Sequence, residues 1–392
     1  MEKTKKSLFG PMDLTKGTCW KTILIFSLPV ILSYLLQQVY SISDAAIVGQ
    51  TLTAQEVAGV NDTTSLVFIF LQFAFGVSAG FCVVTSCQVG ARNQAGVRRS
   101  LATQIILSAV LTVLLTALAL ALLNPMLAWI NVTPDNAEVY RAAYTYCFII
   151  FAGIGAQLFY NFICAFLRSM GDSLTPLLFL LFSTVLNVGL DPLLIFGLNM
   201  GVAGAALATI LSQLASFCML LLGCARGGNL RIRLKNLCFR RDLFVEIGKG
   251  GLPSLCRQGL ASIATICLNR SAGLYGDAAI AAMSVVSRAM MLAQSALIGF
   301  GQGFQPVCGF NYGAGLYHRV KEGFRFCVKW STVFLTAVSV LGLVLAPQII
   351  AVFRNDPGVI AFGARALRLQ CLAFPLCGVI VISSMLTQTI NK

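Results

Sequence analysis

Charge is what this chain has least of. Only 11% of its 392 residues are Asp, Glu, Lys or Arg, against roughly 25% in a soluble domain. There are 14 acids and one histidine, His318, in a basic loop where it is solvated. The 14 cysteines form no Cys-x-x-Cys pair. Most lie in apolar runs, such as Cys82, Cys267 and Cys371, where a thiol acts as a small hydrophobe. No phosphate loop is visible, and no metal-ligand or nucleophile constellation. Gly299-Phe-Gly-Gln-Gly303 is glycine-rich but sits in an apolar run, so it is not a nucleotide cradle. These absences point away from an ATP-driven pump and from an enzyme. No cofactor or bound metal is implied, and ion coupling remains as the energy source.

What is present is apolar length. Hydrophobic residues make up 57% of the chain, which reads as an all-α polytopic membrane protein. Ten spans can be placed, each near the ~20 apolar residues a bilayer requires. They are Ile23–Ile47, Thr63–Gln88, Leu101–Leu123, Tyr140–Leu167, Pro176–Phe196, Val202–Leu222, Leu252–Leu274, Ile280–Phe304, Phe326–Leu345 and Leu367–Ile390. The first run is long and lacks a small-residue cleavage site, so it is read as a retained span.

Loop charge orients the spans. Lys3, Lys5, Lys6, Lys16 and Lys21 share a side with Arg92, Arg98, Arg99 and Arg168. So do the loop from Arg226 to Lys249 and the group Arg319, Lys321, Arg325 and Lys329. Glu56, Asp135, Glu138, Asp277 and Asp356 fall on the other side. The N-terminus is expected in the cytoplasm. The net charge of +14 therefore reflects loop placement and not nucleic-acid binding.

The two halves repeat. Ser27-Leu-Pro29 recurs as Gly251-Leu-Pro253, an offset of 224. Gly76, Gly80, Gly90 and Ala91 recur as Gly299, Gly303, Gly313 and Ala314, an offset of 223. Both halves start on the same side, so the repeat is parallel, about an axis along the membrane normal. The expected division is a first lobe at 1–225, a basic linker at 226–250 and a second lobe at 251–392. The first lobe holds six spans and the second four, so two spans are expected to be missing from a fragment or truncated frame.

Polar groups inside spans mark function by default. Asp191 lies in the fifth span, with Asn187 one turn back on the same face. Pro192 follows; it has no N–H for the carbonyl of Val188 and is expected to kink the helix. A carboxylate, an amide and a freed carbonyl suit a proton or a small cation; a neutral buried acid at a kink is the plainer reading. On the first span Gln37, Tyr40, Ser41 and Asp44 share one face. Thr209 and Tyr146 enter at similar depth. For Gln37 and Tyr40, interhelical hydrogen bonding is an equal alternative to a transport role. In the second half Arg288 lies about two turns into its span and needs water or an acid. Its repeat counterpart, Ser65, is one turn from Asp62; an Arg in a wet cavity with no fixed partner is the leading reading, and an approach of Asp62 and Arg288 when an outer mouth closes is the alternative.

These residues resemble the multidrug and toxic compound extrusion (MATE) family over nearly the whole chain. The marks are Asp44-Ala-Ala-Ile-Val-Gly49, Leu167-Arg-Ser-Met-Gly-Asp172 with Thr175-Pro176, and Asn187-x-x-x-Asp191-Pro192. Gly201-Val-Ala-Gly-Ala-Ala206 and Gln305-Pro306 with Asn311-Tyr-Gly-Ala314 add to them. The resemblance implies two pseudo-symmetric six-helix lobes around a cleft, exchanging H+ or Na+ for amphipathic, often cationic, drugs or toxins. Within the family the chain is similar to the DinF-like branch. That likeness makes Asp44, Asn187, Asp191 and Thr209 the ion-coupling residues. Gln37, Tyr40, Tyr146, Asn161 and Arg288 are cavity candidates. A monomer in the cell membrane is expected. A flippase for lipid-linked precursors and a receptor or scaffold without transport are the alternatives.

Overall fold

The computed structural model describes residues 12–130, 132–226, 274–353 and 356–390, with scattered positions between 245 and 272. Most of the linker and of the expected span Leu252–Leu274 lies outside the described residues.

The described chain is helical. The elements are α1 (Cys19–Thr51), α2 (Ala54–Gly90), α3 (Gln94–Ala121), α4 (Leu123–Trp129), α5 (Ala137–Ala152) and α6 (Ile154–Ser169). They continue with α7 (Leu174–Pro192), a π-helical turn (Leu193–Gly197), α8 (Val202–Arg226), α9 (Asp277–Gly313), α10 (Tyr317–Phe353) and α11 (Pro357–Ile390). Among the described residues seven helices are long and apolar enough to cross a membrane, or eight if the bent pair α5 and α6 is one span. The residues of the expected second span, Thr63–Gln88, fall within the 37-residue α2, which is not one of those seven.

Polar residues at the turns set where helices begin. Thr53 and Glu56 form a reciprocal capping box at α2, satisfying two N–H groups that the first turn leaves open. Asn93 and Asn136 accept from Gly96 N–H and Val139 N–H at the starts of α3 and α5. Asp172 takes the Thr175 N–H at 3.0 Å and its hydroxyl at 2.6 Å. The acid of the Leu167–Asp172 motif thus holds the entry to α7, the helix that carries Asp191. Asp172→Ala is expected to lower stability by about 1 kcal/mol without touching the transport residues. A fall in thermal midpoint with unchanged export per folded molecule checks it.

The expected span Tyr140–Leu167 is not one straight helix. It is α5 and α6, bent by 44° at Gly153. The Ile210 side chain of α8 presses on Gly153 where a Cβ would sit, so glycine admits α8 at the bend. One core runs across the bend: Phe151 of α5 joins Ile154 and Leu158 of α6 in packing against α2, α3, α4 and α8. Another, with Tyr160, Ile163 and Leu167, packs α6 against α3 and α8.

The glycines that repeat in sequence meet across the joint between the halves. A Cβ on Gly90 would strike the backbone of Phe310, and one on Gly313 the backbone of Cys87. Phe310 is the repeat counterpart of Cys87 (310 − 87 = 223). Gly80 lies against Gly251, and Gly303 against Ser27; Ser27 and Gly251 are themselves counterparts. Gly309 packs on Ser86, its own counterpart (309 − 86 = 223). Each contact is thus the image of another, as a two-fold axis near Ser86 and Gly309 requires. Small residues let the backbones come this close without a driving force from water. All these contacts lie toward the basic ends of the helices.

Candidate functional site

The site forms where α1, α5, α7 and α8 meet, toward the ends opposite the basic loops. α7 packs on both α1 and α8. The α7 face that carries Asn187 and Asp191 turns inward, and both residues are 0% exposed. Their neighbours Val185 and Val188 are exposed, so the polar pair takes the inner face of an otherwise lipid-type helix. Asp44 of α1 brings its carboxyl within hydrogen-bond reach of the Asp191 carboxyl. The Oδ1 atoms of both acids are enclosed without a partner.

The surrounding groups fix Asp191. With its amide turned to satisfy both ends, Asn187 donates to Asp191 Oδ2 at 3.2 Å and accepts from the Thr209 N–H at 3.3 Å. Tyr40 donates its hydroxyl to Thr209 Oγ1 at 3.4 Å. Thr209 donates in turn to the Ala205 carbonyl at 3.2 Å. Tyr146 lies close enough to feel both acids. The sequence-derived set of Tyr40, Asp44, Tyr146, Asn187, Asp191 and Thr209 is therefore one cluster.

Pro192 ends α7 and does more than kink it. The Leu193 N–H turns to the Leu190 carbonyl. The chain then widens into the π turn, where the Leu198 N–H reaches the Leu193 carbonyl at 3.1 Å. Neither Pro192 nor Leu193 serves the Val188 carbonyl. Gly204 of α8 packs on the backbone of Leu194 and Ile195, so the π turn is held against α8 within a turn or two of Thr209.

Three other candidates lie apart. Gln37 is half-buried on α1, two turns from Asp44. Asn161 is buried on α6, beyond the Gly153 bend. Arg288 on α9 and Asp62 on α2 are both exposed, and they are not paired: among the described residues the one ion pair is Lys16 with Asp13. Ser41, on the same sequence face as Asp44, is exposed.

Sequence reasoning overlooked a buried amide chain in the second half. Gln305 donates to Gln388 at 2.8 Å, and Gln388 donates to the Gly250 carbonyl. The Gln305-Pro306 pair signalled one member; nothing in the sequence singled out Gln388. Among the described residues no group of three or more His, Cys, Asp or Glu could hold a metal ion.

Paired carboxylates inside a helical membrane bundle mark a functional site by default. The MatE family profile matches residues 29–193 and 253–392, two stretches whose starts are 224 apart, and the chain belongs to that family. It is 26% identical over 378 residues to the probable multidrug resistance protein YoeA of Bacillus subtilis, covering 93% of this chain and 80% of that protein. It is 27% identical over 367 residues to the probable multidrug resistance protein YpnP of the same organism, covering 94% and 82%. Among solved structures it resembles an outward-facing multidrug resistance MATE family transporter of the MOP superfamily. That likeness has a TM-score of 0.88 and 25% identity, covering 100% of this chain and 86% of the other. The protein is a membrane transporter and not an enzyme.

Proposed function

We propose that the chain is a secondary active exporter that exchanges H+ or Na+ for amphipathic organic compounds, drugs and toxins among them, by alternating access. The observation that supports this best is the enclosed pair Asp44 and Asp191. Two carboxyls this close cannot both ionise at low cost, so the pair takes up a proton or a cation as a unit. Sodium would find oxygen ligands on Asp191, Asn187 and Thr209 and at the Val188 carbonyl. The loaded and empty pair differ in charge on α1 and α7. Substrate that prefers one of these states is exchanged against the ion. The cationic substrates expected from the family fit this scheme, because a cation leaves as a proton or sodium enters.

The proposed arrangement has the N-terminus in the cytoplasm, a first lobe at 1–225, a linker at 226–250 and a second lobe at 251–392. The protein acts as a monomer in the cell membrane. Efflux measured in vesicles under a proton gradient, and separately under a sodium gradient, tests the reading. Export should follow one gradient and vanish when it is collapsed. Export indifferent to both would refute ion exchange.

A flippase for lipid-linked precursors is the second reading, favoured by Arg288, an exposed guanidinium that could meet a phosphate. If Asp62 and Arg288 instead close on each other at the outer mouth, a double-mutant cycle on transport should show coupling beyond ~0.5 kcal/mol. Additive effects would leave Arg288 to water or to a head group.

A further inference from the structure

The stretch before α1 is bound to both halves of the molecule. The Met12 N–H donates to the Gly171 carbonyl at 3.0 Å, in the turn between α6 and α7. Gly171 has φ +88°, and a Cβ there would strike the Met12 carbonyl, so the turn needs glycine twice over. Asp13, Thr15 and Lys16 then close a short polar turn at the surface. The Thr15 hydroxyl, at 2.6 Å, holds the Asp13 carboxyl below the usual range, and Lys16 at 3.2 Å adds to this. Leu14 points the other way and is 0% exposed. It fills a core shared by Cys19 and Ile23 of α1, Phe304 and Val307 of α9, and Cys327 of α10.

The second half grips the backbone of this strap. Asn311 donates to the Leu14 carbonyl at 3.2 Å and to the Val307 carbonyl at 2.7 Å. Its Oδ1 accepts from Arg319 Nε at 2.8 Å. Arg319 Nη1 donates to the Gly17 carbonyl at 2.8 Å, and the Cys19 thiol donates to the Arg319 carbonyl at 3.5 Å. One amide and one guanidinium therefore hold two carbonyls of the strap, while Gly171 holds its start from the first half. The grip accounts for Asn311 of the Asn311–Ala314 motif, which the ion site leaves without a role.

We propose that the strap Met12–Thr18 is a bolt across the basic end: seated, it keeps the halves together there, and it must be withdrawn from Asn311 and Arg319 before that end can open. The proposal rests on the alternating-access reading, since a bolt matters only if the end opens. Hydrogen bonds from a charged donor are about twice as strong as neutral ones, so Arg319 is the strong point of the grip. Leu14 contributes the apolar part.

The thiols Cys19, Cys308 and Cys327 are buried around the bolt and report on it directly. Cys147 and Cys164 are buried in the first lobe's own cores and serve as controls. The test is N-ethylmaleimide labelling of the full chain in nanodiscs, read at each cysteine by mass spectrometry. Arg319→Gln and, from the opposite anchor, Gly171→Ala should each speed labelling at the three joint thiols at least tenfold, with Cys147 and Cys164 unchanged. Arg319→Lys should fall between. Unchanged joint thiols in both variants would overturn the bolt, and so would equal acceleration at Cys147 and Cys164, which would make the strap a general support of the fold. Failure of the transport reading shows separately, as absence of gradient-driven efflux in the unsubstituted protein.

Discussion

Asp191→Asn is expected to abolish gradient-driven export while leaving the protein folded. Asparagine is close in shape to aspartate and keeps an oxygen toward Asn187, so packing around a 0% exposed residue is preserved. It cannot take up or release a proton, and it removes the charge that would hold sodium. The partner substitution Asp44→Asn should have the same effect, because the two carboxyls meet and act as one acid. Non-additivity follows: the double variant should be no worse than either single one. Efflux in proteoliposomes at fixed pH and sodium gradients measures this, with drug binding by equilibrium fluorescence as the companion. Binding should survive where export does not. If both variants export at the unsubstituted rate under either gradient, the coupling site lies elsewhere.

The second large effect is expected at the joint. Gly90→Val and Gly313→Val each push a branched side chain into a backbone, that of Phe310 in one case and of Cys87 in the other. Side chains can turn aside, but a helix backbone cannot without moving the whole helix. Overpacking of a well-filled core costs about 1–3 kcal/mol, occasionally more, and these sites belong to the severe end. The thermal midpoint of purified protein should fall by several degrees for both variants, and by similar amounts, because the two contacts are images of each other. Gly49 has nothing within 4 Å of an added Cβ and is the control: Gly49→Ala should leave stability unchanged or slightly raised, since alanine is the better helix former. A large fall for one joint variant with none for the other would contradict the two-fold contact.

Much of this could be read before any coordinates. An acid in an apolar run has few ways to survive, so Asp44 and Asp191 identified themselves, and helical spacing placed Asn187 beside the second. The constant offset between glycines pointed to a parallel repeat. What those glycines touch could not be read, because a glycine carries no mark of its partner: Gly90 and Phe310 meet only through the fold. The bend at Gly153 was hidden for a related reason. Gly153 meets the Ile210 side chain of another helix, a partner that the run Tyr140–Leu167 does not name. At Pro192 the sequence implies a kink, and the chain there passes from α7 into a π turn. Sequence gives the missing N–H but not the wider hydrogen-bond ring that absorbs it. Asn161 shares the polarity of the site residues but lies on the far side of the bend, which a list of polar residues in spans cannot tell.

The self-paired contact of Ser86 with Gly309 has a consequence for ancestry. A surface in which every contact is matched by its mirror under a half-turn needs only one design, because it fits a copy of itself. Two separate chains, each one repeat long and identical in sequence, would have built the same joint as a homodimer, with small residues required at the same places in each. Duplication and fusion then free the halves to diverge everywhere except where backbones still touch. That is the pattern here: the paired acids Asp44 and Asp191 lie in one half alone, while Gly80 and Gly90 of the joint recur as Gly303 and Gly313.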